Sequence, residues 1–152
     1  MIDIIHRIGI KAPVAQVYKG LATLDGLAQW WTEEVLGEAQ VGGKIAFVFH
    51  KKTGEMRGQI DMEVRKLEPQ KEVRWRCIGG IDEWIGTDIN FQLSEQDNQT
   101  IVMFSHRNWR AESEFTAHCS TKWATFLLSL REYLETGTGR PAPNDQPVDN
   151  WD

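Results

Sequence analysis

A chain of 152 residues, 41% hydrophobic and 26% charged, is long enough to bury a substantial core in one domain without disulfide or metal staples. Its net charge of −5 argues against a nucleic-acid binder, which would carry clustered Lys and Arg. No run of about 18 apolar residues exists, so no membrane-spanning helix is expected. The unusual feature is seven tryptophans, each able to bury roughly 150–250 Å². They imply either a solid aromatic core or an aromatic-walled cavity.

Taken in order, residues 2–10 alternate around Ile4, Ile8 and Ile10 and predict a strand. Lys11-Ala12-Pro13 breaks it, and Val14, Val17, Tyr18 and Leu21 give helical spacing through about Ala22. A second short helix is predicted with Asp25 as its N-cap and Leu27, Trp30 and Trp31 on its face. On a helix, Trp30 and Trp31 diverge; Trp31 is expected toward a cavity and Trp30 toward the sheet. A short strand over 34–38 and a Val41-Gly42-Gly43 turn follow. Lys44 to His50 is a strand with Ile45, Phe47 and Phe49 on one side, closed by a hairpin at Lys51-Lys52-Thr53-Gly54. Then comes the clearest alternation: Met56, Gly58, Ile60, Met62 and Val64 against Arg57, Gln59, Asp61, Glu63 and Arg65, a half-buried antiparallel strand. Further strands are predicted over 73–77, from Ile85 to Leu93, and from Thr100 to His106. A loop at Arg107-Asn108-Trp109-Arg110 precedes a long helix over Glu114–Thr136. Its stripe is Phe115, Cys119, Trp123, Phe126, Leu127, Leu130 and Leu134, and Gly137 is its stop.

This order predicts an α+β fold: a curved antiparallel sheet of about six to seven strands wrapped around a long C-terminal helix, with two short helices after strand 1. A twisted sheet and a straight helix cannot touch along their whole length, so a hollow between them is expected. Residues 1–137 form the domain. Residues 138–152, acidic and rich in proline, are expected to be a poorly ordered tail, with Trp151 available as a contact. The start MIDIIHRIGI lacks a charged region followed by a long apolar run, so no secretory leader is expected. Cys77 and Cys119 sit in apolar patterns and read as buried free thiols of a cytoplasmic protein.

Several short patterns together resemble a known family: Ile10-Lys11-Ala12-Pro13 with Val17-Tyr18, Leu27-Ala28-Gln29-Trp30-Trp31, Val41-Gly42-Gly43, Leu67-Glu68-Pro69, Ser105-His106 with Trp109, and Trp123 with Leu130, Tyr133-Leu134 and Gly137. In order and spacing they are similar to the activator-of-Hsp90-ATPase-homologue-1-like (AHSA1-like) branch of the START/Bet v 1 (SRPBCC) superfamily, over roughly residues 1–137. The resemblance implies a helix-grip fold, a deep hydrophobic cavity between sheet and helix, and a bacterial, cytosolic protein. The eukaryotic Hsp90 activator carries a further domain ahead of this one that is not in this sequence. An Hsp90-type chaperone is therefore a weaker expectation for a partner than a small hydrophobic molecule.

The expected cavity residues are Trp31, Phe47, Phe49, Met62, Trp75, Phe91, His106, Trp109, Trp123 and Phe126. Such a site is mostly apolar with few polar groups. Two readings of His106 stay open: an acid/base or ligand-orienting group facing the cavity, or a core histidine satisfied by its neighbours. Ser105 and His106 are adjacent in a strand, point to opposite faces, and cannot pair as nucleophile and base. The acidic Asp82, Glu83 and Asp88 are candidate carboxylates near a cavity mouth. The four histidines lack metal-ligand spacing, so no metal is expected, and no phosphate-binding loop or cofactor motif is present. The expected function is non-catalytic binding of a hydrophobic or aromatic metabolite, lipid or polyketide-like molecule. The alternatives are a polyketide cyclase or aromatase using the same cavity with His106 as base, and an Hsp90-related or stress-response interaction module. Either a monomer or a homodimer fits, because an exposed edge strand can pair.

Overall fold

The computed structural model describes residues 2–152. Its elements are β1 (Ile2–Ile10), α1 (Val14–Ala22), α2 (Leu24–Ala28), β2 (Glu34–Gly37), β3 (Lys44–His50), β4 (Met56–Glu68), β5 (Glu72–Gly79), β6 (Asp88–Gln96), β7 (Gln99–Trp109) and α3 (Glu114–Thr136). The seven strands form one antiparallel sheet in the order β1-β7-β6-β5-β4-β3-β2. Register irregularities at Asp61/Met62 and Val64/Lys66 interrupt the β4–β5 ladder; such bulges bend a strand and increase its twist. The result is a curved sheet that grips α3. No helix among the described residues is long and apolar enough to cross a membrane.

The periodicity of the sequence explains why these elements pack as they do. Ile45 and Phe47 of β3 and Ile60, Met62 and Val64 of β4 are buried on one side of the sheet. On α3, Cys119, Trp123, Phe126, Leu127 and Leu130 recur every three or four residues and bury the facing stripe. Gly137 ends α3 in the left-handed conformation (φ 93°), its amide donating to the Tyr133 carbonyl at 2.8 Å, as a helix stop requires. Polar ties fix the helix to the rest. His6 Nε2 of β1 meets the Ser120 carbonyl at 3.0 Å, and Ser129 Oγ donates to the Trp30 carbonyl at 2.9 Å. Both cysteines are free and buried.

Four local readings of the sequence are corrected. The N-cap of α2 is Thr23, whose hydroxyl accepts from the Gly26 amide at 3.0 Å; Asp25 lies inside the helix, where its charge still suits the first turn. The helix ends at Ala28 with Gln29 as C-cap, so Trp30 and Trp31 are not on a helical face. Freed from that geometry, both rings turn inward and stack on each other at 6.1 Å. Strand β6 begins at Asp88 rather than Ile85, and residues 81–87 coil into a tight loop that buries Trp84 and Thr87 and leaves Ile85 exposed. Gly80 makes that loop possible. Its φ is +105°, and a Cβ there would lie 2.0 Å from the Gln59 carbonyl oxygen, so only glycine fits. Strand β7 runs on through Trp109, with Asn108 absorbing a positive φ of 73°.

The last 15 residues differ most from expectation. Residues 138–152, read from composition as a disordered tail, follow a defined course back over α3. The Ala142 amide donates to the Trp31 carbonyl at 2.8 Å, and the Ala142 carbonyl accepts from Glu33 at 3.3 Å. Ala142 is itself buried. Composition could not reveal this order, because the partners that hold the segment lie far away in sequence.

Candidate functional site

Between the sheet and α3 lies a small, partly open pocket. A cavity of ≈ 150 Å³ is lined by Trp31, Phe49, Ile60, Ile81, Trp84, Phe115, His118, Cys119, Lys122, Trp123 and Phe126. One wall is α3, whose 115, 118, 119, 122, 123 and 126 positions share one side by helical spacing. The facing wall comes from the connection after α2 (Trp31), from β3 and β4 (Phe49, Ile60), and from the β5–β6 loop (Ile81, Trp84). An adjoining groove of ≈ 330 Å³ shares Phe49, Ile60, Ile81, Lys122 and Phe126 with this pocket.

Of the ten expected lining residues, Trp31, Phe49, Trp123 and Phe126 line this cavity. Phe47, Met62, Trp75, Phe91, His106 and Trp109 do not; all six are buried beneath or beside it. Strand parity put the first five on the correct face, Trp109 having been read in a loop, but could not tell a lining side chain from one packed a layer deeper. The deeper layer is closely packed. Trp31 lies 4.3 Å from Phe47 and 5.0 Å from Trp123 and stacks parallel on Trp75 at 6.0 Å, while Trp75 meets Phe91 edge-on at 5.2 Å. These offset and edge-to-face arrangements are the favourable ones for aromatic pairs. The seven tryptophans thus divide: five fill the far side and the floor of the hollow or reach into its walls, Trp84 completes a wall, and Trp151 lies on the surface.

Trp84 was missed by the sequence reading because it sits in a loop, where no periodicity marks a buried face. Its ring stacks on Trp123 at 5.8 Å. The signal that could have found it is local: a large aromatic three residues after Ile81, between Gly80 and Gly86, in a segment short enough to fold back on the sheet.

His106 is fully buried and fully partnered. The Trp123 indole Nε1–H donates to Nδ1 at 3.1 Å, and an indole can only donate. Nδ1 is therefore unprotonated, the proton sits on Nε2, and Nε2–H donates to Thr87 Oγ1 at 2.7 Å. The Thr87 hydroxyl in turn donates to the Trp84 carbonyl at 2.5 Å. Burial drives the pKa of His106 down to about 3, with Asp88 pulling weakly the other way. A neutral imidazole with both nitrogens engaged fixes the orientation of Trp123 and anchors the 81–87 loop. It has no free lone pair with which to accept a proton from a ligand. Cys119, on the cavity wall, is pushed up to about 12 by burial, so the nucleophilic thiolate is absent at neutral pH. Of the candidate carboxylates, Asp88 accepts from Arg76 at 2.9 Å outside the cavity, and Asp82 and Glu83 are exposed. Chemically, the site is an apolar container with one cation at its rim.

That cation is Lys122. Its side chain is only 15% exposed and its ammonium lies 5.3 Å from the Phe126 ring centre. It pairs with the Asp145 carboxylate and donates to Asp152 Oδ1 at 2.7 Å and the Gln146 carbonyl at 3.1 Å. Nearby, His118 Nδ1 contacts Asp149 Oδ2 at 2.7 Å, Arg57 donates to the Trp151 carbonyl, and the Trp151 ring rests 5.2 Å from His118. The tail thus lies across the mouth.

Comparison with known proteins gives a consistent picture. The family model described as activator of Hsp90 ATPase homolog 1-like protein matches residues 11–135. The Aha1 dimer from Colwellia psychrerythraea is similar at 46% identity and a TM-score of 0.79, covering 91% of this chain and 100% of that one. CalU16 from Micromonospora echinospora has 18% identity and a TM-score of 0.74, with 97% and 74% covered. DynU16, from the dynemicin biosynthetic locus, has 20% identity and a TM-score of 0.71, with 90% and 48% covered. The last two share the fold. No curated protein gives a significant match.

Proposed function

The chain belongs to the activator of Hsp90 ATPase homolog 1-like family and has its helix-grip fold, and from that premise we propose that it binds a small hydrophobic or aromatic molecule between the sheet and α3. One observation carries this reading: beside a closely packed aromatic core lies a partly open, mostly apolar pocket of ≈ 150 Å³, walled in part by Trp31, Trp84, Trp123 and Phe126. An apolar space of about this size is large enough for one benzene-like ring. The proposed ligand is accordingly a single-ring compound or a short apolar chain, smaller than the lipid or polyketide-like molecules included in the sequence-based expectation. Titration with benzene or toluene, followed by tryptophan fluorescence and melting temperature, should give a saturable change. A ligand at ~100 times its dissociation constant adds roughly 2.7 kcal/mol of stability. No saturable response to any single-ring compound would sink the binding reading.

The cyclase or aromatase alternative asked His106 to act as base, and the engagement of both its nitrogens weighs against that role. The Colwellia relative is described as a dimer, and at 46% identity we carry that state over as part of the proposal. Light scattering on the eluting protein should give twice the monomer mass; the monomer mass at micromolar concentration would refute pairing.

A further inference from the structure

The contacts of Lys122 suggest what chemical group the ligand carries. Three tail oxygens, from Asp145, Gln146 and Asp152, surround its ammonium. The same side chain lines both the cavity and the groove outside it. A cation at the rim of an apolar pocket is the arrangement that recognises an amphipathic anion, with its apolar part inside and its charge outside. In this structure the anionic place is taken by the protein's own carboxylates.

The tail is attached in a way that permits exchange. Up to Ala142 it is tied by backbone hydrogen bonds to Trp31 and Glu33. Beyond Pro143 its backbone–backbone bonds are internal, Asn144 to Pro141 and Asp152 to Asp149. The rest of the molecule holds that stretch through side chains alone: Lys122, His118 and Arg57. The Lys122 pairs are largely buried, with side chains 15–17% exposed, so the attraction within each is mostly offset by the desolvation of both charges, and a competing carboxylate with an apolar anchor can take the place of the tail carboxylates. Asp152 is desolvated, which raises its pKa, but bonds from Lys122 and the Asp149 and Val148 amides outweigh this and hold it at about 2. The tail therefore remains an anionic competitor at any physiological pH.

We propose that the ligand is a small aromatic carboxylate, its ring in the Trp31–Trp84–Trp123 cavity and its carboxylate on Lys122, and that it binds by displacing the Asp145–Asp152 segment of the tail. This rests on the cavity being a binding site, as proposed above, and adds the charge and the competitor.

The test compares phenylacetate with its neutral isostere phenylacetamide, by fluorescence titration of the full chain and of two variants, Lys122→Met and Asp145→Asn/Asp152→Asn. Phenylacetate is expected to bind the wild type more tightly than the amide. It should lose about tenfold in Lys122→Met, the scale of a charge-assisted hydrogen bond, while the amide changes little. The double Asn variant should bind phenylacetate several-fold more tightly, because its competitor is gone. Equal affinity for acid and amide, with no effect of Lys122→Met, would overturn the carboxylate assignment and leave the cavity standing. Unchanged or weaker phenylacetate binding in the double Asn variant would overturn displacement. Failure of both probes in all three proteins would remove the cavity reading itself.

Discussion

Replacing Trp31 with alanine is expected to destabilise the protein by about 3–5 kcal/mol, the range for deleting a large buried aromatic. That is a large part of the roughly 5–15 kcal/mol that holds a typical domain together. Trp31 is 2% exposed and touches five aromatic rings: Trp30, Phe47, Phe49, Trp75 and Trp123. These belong to β3, β5, α3 and its own connection, so one side chain joins sheet to helix. Its loss leaves a void that rigid neighbouring rings cannot close, which places the cost at the upper end of such substitutions. Urea unfolding should show the midpoint falling with an unchanged slope. Trp151→Ala is the control: that ring is 43% exposed, and its removal should change stability by no more than about 0.5 kcal/mol. A loss below about 1 kcal/mol for Trp31→Ala would mean that the aromatic layer is not what binds α3 to the sheet.

Stability should fall measurably between pH 7.5 and pH 5 because of His106 alone. Folded, its pKa is about 3, chiefly through burial; unfolded, it returns to about 6.5. Between those values the unfolded chain binds a proton that the folded chain does not, so stability rises with pH across the window and is lost as pH falls. At pH 5 the loss is about 2 kcal/mol, from roughly 1.5 pH units at 1.36 kcal/mol each. His50 acts in the opposite sense, its pKa raised first by the hydrogen bond to Glu34; it is half-buried and contributes a correction common to all variants. His106→Gln, which can still accept from Trp123 and donate to Thr87, should fold with lower stability and a flatter pH profile. Equal pH slopes in wild type and variant would show that His106 is charged in the folded state or solvated by a route absent from this geometry.

Where sequence periodicity is strong, the fold was legible. The alternation of Ile60, Met62 and Val64 and the Cys119–Trp123–Phe126–Leu130 stripe each report which face is buried, and the two faces meet in the structure as expected. Legibility ended where burial is not periodic. Trp30 and Trp31 follow a helix that stops at Ala28, and Trp84 rides a loop shaped by Gly80, so neither placement is encoded in a repeating pattern. Depth was equally hidden. Phe47 and Phe49 share a strand face, yet Phe49 lines the cavity and Phe47 lies in the layer below. The course of the tail was invisible for a different reason. Low hydrophobicity predicts disorder, but this segment is held by charge complementarity to Lys122, His118 and Arg57, residues 23 or more positions from their tail partners.

The most direct test of a binding cavity between Trp31, Trp84 and Trp123 is to follow the seven indole N–H signals by ¹⁵N–¹H NMR during titration with phenylacetate. The account predicts saturable shifts largest at Trp31, Trp84 and Trp123, with Trp30, whose indole is tied to the Gly20 carbonyl at 2.8 Å, and Trp109 moving far less. Shifts confined to Trp151, or none at any indole, would contradict it and return the aromatic cluster to the status of a filled core.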